Sequence, residues 1–410
     1  MQPYQKIRSM SDEGFAAFAE KKLVSLEFLN PQTRKLSVKD TPELKKLQIQ
    51  FETVLEHRLF NEALVYIEKI LKINRHNPSA LFNKGTVLME LHRWSEALDC
   101  FNEKLVIVED HAKTYANKAQ CTILKLLDDE HELESDNSTI TDEELHNSYS
   151  EALRSLERAI ELNSEDVDHH ISLKGIALEG LERYDEALEI FETLSKKYPN
   201  EKRYLMKIRN LSQGEKRITF CDKILEIDPE DFGSLYEKGE HFHSIGGEIW
   251  KNGSTLLAEK NAREPLEKAI EYYDKALNGK NKDEIDRTFG FFAVSISKSN
   301  ALMLLGKYED TIKCLEKIES PNVKDKVMVL ETTATAYAAL KDWKNCTKYY
   351  YKILDLDPKN ITALVGLGKS LNSLGQMDES QVYFEMAEEL GWDEIHDEYN
   401  FKQDLKRLEK

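Results

Sequence analysis

The chain has 410 residues, enough for two or three globular domains or for one extended array of repeats. Hydrophobic residues make up 40% and charged residues 32%, which supplies a core and excludes a disordered chain, while only 17 Gly and 9 Pro favour long helices over turn-rich β architecture. A net charge of −18 repels phosphate backbones and so argues against nucleic acid and anionic membranes as partners, and no apolar stretch approaches the roughly 18 residues a membrane span needs.

The first residues, MQPYQKIRSMSDEGF, carry no apolar core of signal-peptide length, so the expected compartment is the cytoplasm. Five scattered cysteines without a C-x-x-C pair read as reduced thiols in such a compartment. Within the N-terminal segment 1–43, residues 11–30 read as a capping helix with Phe15, Phe18, Leu23, Leu26 and Phe28 on one face.

From Leu44 onward the chain repeats itself. A first predicted helix carries a small residue, in the column Gly85, Ala119, Gly175, Gly239, Ser299, Ala334 and Gly368. A second helix carries another, in the column Ala63, Ala97, Ala152, Ala187, Ala269, Thr311, Cys346 and Ser380. Gly85 and Ala119 are 34 residues apart, as are Ala334 and Gly368. Small residues at fixed positions let antiparallel helices approach closely. An aromatic opens the second helix at Phe60, Trp94, Tyr184, Tyr308 and Trp343 and is expected to wedge between the helices of its own repeat. Pro199, Pro229 and Pro358 close second helices.

Three stretches depart from this period. Residues 127–150 carry nine acidic side chains from Asp128 to Glu144 and read as a solvated loop or helix extension; a calcium loop would need a turn glycine that is missing. Near residue 210, Leu205 and Arg217 break both columns, and a local change in repeat geometry is expected at 200–220. Residues 244–265 contain Gly246, Gly247 and Trp250; they could pack across the array or present Trp250 to a partner, and packing is the expectation. The last segment, 393–410, reads as a polar capping helix with Ile395, Tyr399, Phe401 and Leu405 turned inward.

These columns resemble the tetratricopeptide repeat family, most closely over Pro78–Asp110, Asp168–Asn200 and Val327–Gly391. The resemblance implies an all-α, right-handed superhelical solenoid of about nine helix pairs over residues 44–392, with capping helices at both ends. It also implies that first helices line a concave groove and that the chain is a non-enzymatic protein-binding adaptor or scaffold. The contact positions it suggests are Phe82, Asn83, Thr86, Lys113, Asn117 and Gln120 in the second and third repeats, and Asn300, Glu331, Thr332, Thr335 and Lys369 in the last three. Asparagine amides donate and accept at once, which suits the backbone of an extended peptide or a partner helix. Some family members clamp chaperone tails with two Asn and three basic residues; here Gln48, Glu52 and Asn117 stand where three of those five are needed, which argues against that partner.

No motif for chemistry survives inspection. GLGKS at 366–370 has Ala363 where a phosphate-binding loop needs glycine, and Gly368 belongs to the packing column. His169–His170 and His241/His243 are one and two residues apart, so on a helix they diverge instead of chelating. No cofactor, metal or enzymatic activity is expected. Two alternatives to the adaptor remain. Lys202, Arg203, Lys207, Arg209, Lys216 and Arg217 could bind RNA, as could Lys341, Lys344, Lys348 and Lys352 interleaved with Tyr349, Tyr350 and Tyr351. A purely structural role through self-association is the other.

Overall fold

The structure is a computed structural model that describes residues 41–132, 141–162, 166–252, 256–279, 289–318 and 322–392. Both expected capping helices lie outside them. The described residues form eighteen helices and no strand. None of these helices is long and apolar enough to cross a membrane. Contacts divide the chain into two compact units, and the chain passes from one to the other at Arg217–Ile218, inside the stretch where the repeat columns break.

The first unit holds α1 (Pro42–Glu56), α2 (Phe60–Ile73), α3 (Pro78–Glu90), α4 (Trp94–Ile107), α5 (Ala112–Glu132), α6 (Asp142–Glu161), α7 (Val167–Gly180), α8 (Tyr184–Lys197) and α9 (Lys202–Leu211). They stack as antiparallel hairpins, α1 with α2 through α7 with α8, each second helix also packing on the next first helix. The acidic stretch lengthens both helices of one hairpin: α5 has 21 residues and α6 has 20, against 13 and 14 in the hairpin before. A capping box starts α6, where the Thr141 hydroxyl accepts from the Glu144 N–H and the Glu144 carboxylate accepts from the Thr141 N–H. The first helix of the irregular repeat, α9, has only 10 residues.

The second unit takes up most of α10 (Gly214–Ile227), then α11 (Phe232–Asn252), α12 (Leu256–Asn278), α13 (Phe289–Leu304), α14 (Tyr308–Leu315), α15 (Val323–Ala339), α16 (Trp343–Leu356), α17 (Ile361–Ser373) and α18 (Met377–Glu389). Residues 244–252 continue α11 and 256–265 begin α12, and Trp250 packs against the apolar cluster that contains Leu266 and Tyr273, so the described part of this stretch lengthens one hairpin.

A shared turn builds the hairpins. Arg58, His92, Glu182, Gly306, Lys341 and Gly375 each adopt a left-handed conformation two residues before a second helix. The next N–H reaches back to a carbonyl five residues earlier, as in Arg93 to Leu88 and Arg183 to Leu178, both 2.9 Å. Four of those six residues carry a side chain, so the turn is held by its neighbours at the cost of local strain.

The small-residue column does what the spacing predicts, but the aromatic that fills the space is a different one. An added Cβ at Gly85 would lie 2.6 Å from the Phe101 ring, at Gly175 2.7 Å from Phe191, and at Gly368 2.8 Å from Phe384. Each ring stands sixteen residues after its glycine, midway along the second helix. The aromatic at the helix start varies in role. Trp94 is buried and its indole N–H donates to Asp128 of the next hairpin at 2.6 Å, whereas Tyr184 is 44% exposed. Phe60, at the same position in the first hairpin, is half-buried and packs on the core that contains Phe51 and Ala63, so the ring at this position has no single role.

Candidate functional site

The expected contact positions fall into two groups, one in each unit. In the first unit, α3 carries Phe82, Asn83 and Thr86, and α5 carries Lys113, Asn117 and Gln120. The two helices touch, and the Asn117 amide donates to the Thr86 hydroxyl at 3.4 Å while that hydroxyl donates to the Phe82 carbonyl at 3.1 Å. Lys113 and Asn117 are half-buried. The Phe82 ring is fully buried 6.0 Å from Phe101, with the Lys104 ammonium 4.3 Å from its centre, so it belongs to the core. Asn83 (1% exposed), Thr86 and Gln120 are also closed off from solvent. Positions in and beside the glycine-facing stripe of a first helix turn toward the hairpin interior, which a spacing count alone does not separate from the groove side.

In the second unit, Asn300 on α13 and Thr335 on α15 are exposed, while Glu331 and Thr332 on α15 and Lys369 on α17 are half-buried. The Asn360 amide donates to Glu331 at 3.3 Å, and its own oxygen accepts from the Ala363 N–H to cap α17. On α11 the sequence reading missed a polar cluster on the first-helix side. The Tyr273 hydroxyl donates to Glu240 at 2.6 Å and lies 3.4 Å from His243 Nδ1. Burial pushes the Tyr236 and Tyr273 phenols far above their ordinary range, with the Glu240 charge adding to it. The same burial holds the His243 imidazole below its usual range, against the opposing pull of Glu240.

A second missed pattern is a lysine immediately before the small residue of the first helix. Lys84 pairs with Glu68 at 3.3 Å, Lys174 with Glu157 at 2.8 Å and Lys298 with Asp274 at 2.6 Å; Lys238 pairs with Asp222. Each clasp joins a first helix to the second helix before it, while Lys118 pairs with Glu151 of its own hairpin at 2.7 Å. Partly exposed pairs of this kind add about 0–1 kcal/mol each and chiefly fix the register of neighbouring hairpins. The column was visible as a lysine before Gly85, Ala119, Gly175, Gly239 and Ser299.

The 202–217 cluster does not form an open charged surface, whereas Lys341, Lys344, Lys348 and Lys352 are all exposed, as is Tyr351 beside them. Lys207 is 3% exposed and pairs with Glu179 at 2.9 Å, Arg209 is buried and donates to Asn210, and Lys216 pairs with Glu192 at 2.6 Å. Farther on, Tyr350 is buried, Tyr349 packs at a tilt against Tyr337 with ring centroids 5.4 Å apart, and Lys352 lies 4.3 Å from the Tyr349 ring centre. Rings packed in this way are not free to stack on bases. His169 and His170 stand with ring centroids 5.8 Å apart, and among the described residues no group of three His, Cys, Asp or Glu side chains is placed to hold a metal ion.

Known proteins share this architecture. The tetratricopeptide repeat family model matches residues 145–202, which run from α6 to the start of α9. A TPR repeat-containing protein of Methanocaldococcus jannaschii is 23% identical over 340 residues, covering 78% of this chain and 53% of its own, so the chain spans about half the length of that relative. The crystal structure of the C-terminal part of a TPR repeat-containing protein from Cytophaga hutchinsonii superposes with a TM-score of 0.50 at 16% identity, covering 70% of this chain and 99% of the other. The likeness to tetratricopeptide repeat proteins read from the two columns therefore rests on family model, relative and fold alike.

Proposed function

We propose that this tetratricopeptide repeat chain is a non-enzymatic adaptor that takes a peptide or helix of a partner protein along the faces of its first helices. The fold is in general one of protein-interaction scaffolds. The observation that carries the reading is asymmetry in the stack. Successive first helices touch, α3 with α5, α5 with α7 and α11 with α13, whereas among the described residues no two successive second helices are as closely packed. Within each unit, helices that crowd together mark the inner side of its own stack. Where they crowd they carry amides, hydroxyls and tyrosines, which bond backbone groups without demanding one sequence. Of the expected contact positions, those not closed off are Lys113 and Asn117 in the first unit and Asn300, Glu331, Thr332, Thr335 and Lys369 in the second.

RNA binding is disfavoured at 202–217 by pairing and burial, and at the exposed Lys341, Lys344, Lys348 and Lys352 by the net charge of −18 alone. Self-association draws support from α18, where Met377, Val382 and Met386 are exposed. The test is affinity capture from nuclease-treated native lysate with the wild type and with Asn117→Ala/Asn300→Ala, analysed by mass spectrometry. The adaptor reading expects discrete proteins that the double variant loses. Capture unchanged by the variant would overturn the groove, and recovery of the chain alone would favour self-association.

A further inference from the structure

A cleft of about 790 Å³ lies on the side of the second unit opposite the first-helix face, between the second helices α12 and α14 and above the first helix α13. Its origin is a length mismatch. The second helices α2, α4, α8, α10 and α16 have 14 residues each, but α14 has 8 and ends at Leu315. Among the described residues, the wall facing α12 past that point is the turn that holds Lys317 and Ile318. Leu277 of α12 and Phe291 and Phe292 at the start of α13 form an apolar floor with Ile318 among the described residues.

The rim is basic in a chain whose net charge is −18. Lys298 is engaged by Asp274 at 2.6 Å. The other three rim lysines are exposed and loosely held: Lys313 lies 3.4 Å from Asp310, Lys307 lies 3.8 Å from Glu267, and Lys317 makes no ion pair with a described residue. A volume in this range is typical of a ligand-binding cleft, and an apolar floor with a few charges at its edge fixes both affinity and orientation. Flexible ammonium groups accept carboxylates as point charges without requiring one geometry. We propose that this cleft is a second docking site, independent of the first-helix groove, for a short acidic amphipathic peptide whose leucine or phenylalanine side chains enter between α12 and α14 while its Asp and Glu side chains meet Lys307, Lys313 and Lys317.

The probe is a fluorescein-labelled synthetic peptide that alternates Glu-Asp pairs with Leu-Phe pairs, titrated against the full chain by fluorescence anisotropy. Its lysine-containing counterpart serves as the charge control. Lys313→Glu/Lys317→Glu reverses charge at exposed positions, so the fold is retained, and it is expected to weaken binding at least about tenfold. Cys314, which lines the cleft and is the one cysteine not fully buried, supplies a second readout: the bound peptide should slow its modification by a thiol reagent severalfold. Asn117→Ala should leave the affinity unchanged. Equal binding to wild type and to the charge-reversed variant, equal binding of the lysine peptide, or loss of binding in Asn117→Ala would each overturn the proposal.

Discussion

Helix α11 carries two glycines eight residues apart that the packing account treats in opposite ways. At Gly239 an added Cβ would stand 2.4 Å from Tyr273 Cε1 and 2.6 Å from Cδ1; at Gly247 nothing lies within 4 Å. Tyr273 cannot retreat, because its ring is fully buried and its hydroxyl is tied to Glu240 at 2.6 Å. In both substitutions alanine gains helix propensity of about 0.8–1 kcal/mol. Only at residue 239 does it also overpack the interior, at about 1–3 kcal/mol. Gly247→Ala should therefore stabilise the hairpin by up to about 1 kcal/mol, and Gly239→Ala should leave it unchanged or destabilise it by up to about 2 kcal/mol. Propensity cancels in the difference, so the two variants should differ by about 1–3 kcal/mol, the steric part alone. Stacked repeats need not unfold in one step, so the assay is native-state hydrogen exchange of peptides from α11 and α12, which reads local opening energies. Equal shifts for the two variants would refute close packing as the reason for the small-residue column.

Three further outcomes follow from the same structure. The His243 imidazole is depressed by burial, so as the pH falls through about 6.5 the unfolded chain takes up a proton first and the second unit loses stability; urea midpoints at pH 7.5 and 5.5 should show the loss, and His243→Gln should flatten it. Glu179→Ala removes the carboxylate that pairs with buried Lys207 across α7 and α9, with an expected cost of about 3 kcal/mol in the local stability of that region by hydrogen exchange. Burial pushes the Cys100 thiol up to about 11 and the Cys121 thiol to about 12, so mass-spectrometric alkylation mapping of the native chain at pH 8 should label Cys314 first; above about pH 8.5 the unfolded thiols ionise while the folded ones do not, and stability should decline as the pH rises further.

The repeat was legible because close helix approach restricts residue size at fixed positions, and the columns through Gly85 and Ala97 record that restriction directly. The ring that fills the gap was harder to find. Phe101 and Phe191 sit among other apolar residues of a second helix, while Trp94 and Tyr184 draw attention at its start. Only the geometry tells the fully buried Phe191 from the exposed Tyr184. The irregular repeat at 200–220 was marked by the broken columns at Leu205 and Arg217, and the passage between the two units falls beside them. The groove was least legible. Asn83 and Asn117 look alike as polar residues on first helices, yet one is closed off and the other half-open, because exposure depends on small differences in how α3 and α5 lean on their neighbours. The Tyr236–Glu240–His243–Tyr273 cluster joins residues from two helices across an insertion, so no spacing rule reveals it.

The most direct test of the adaptor is where a partner touches. A photo-crosslinking amino acid would be placed at Lys113 and Asn300 on first helices, and at the exposed positions Thr193 and Glu385 on second helices. Crosslinks to a discrete partner protein from residues 113 and 300, absent from 193 and 385, are the expected result. Crosslinks only from the second-helix positions, or only to copies of the chain itself, would contradict the account.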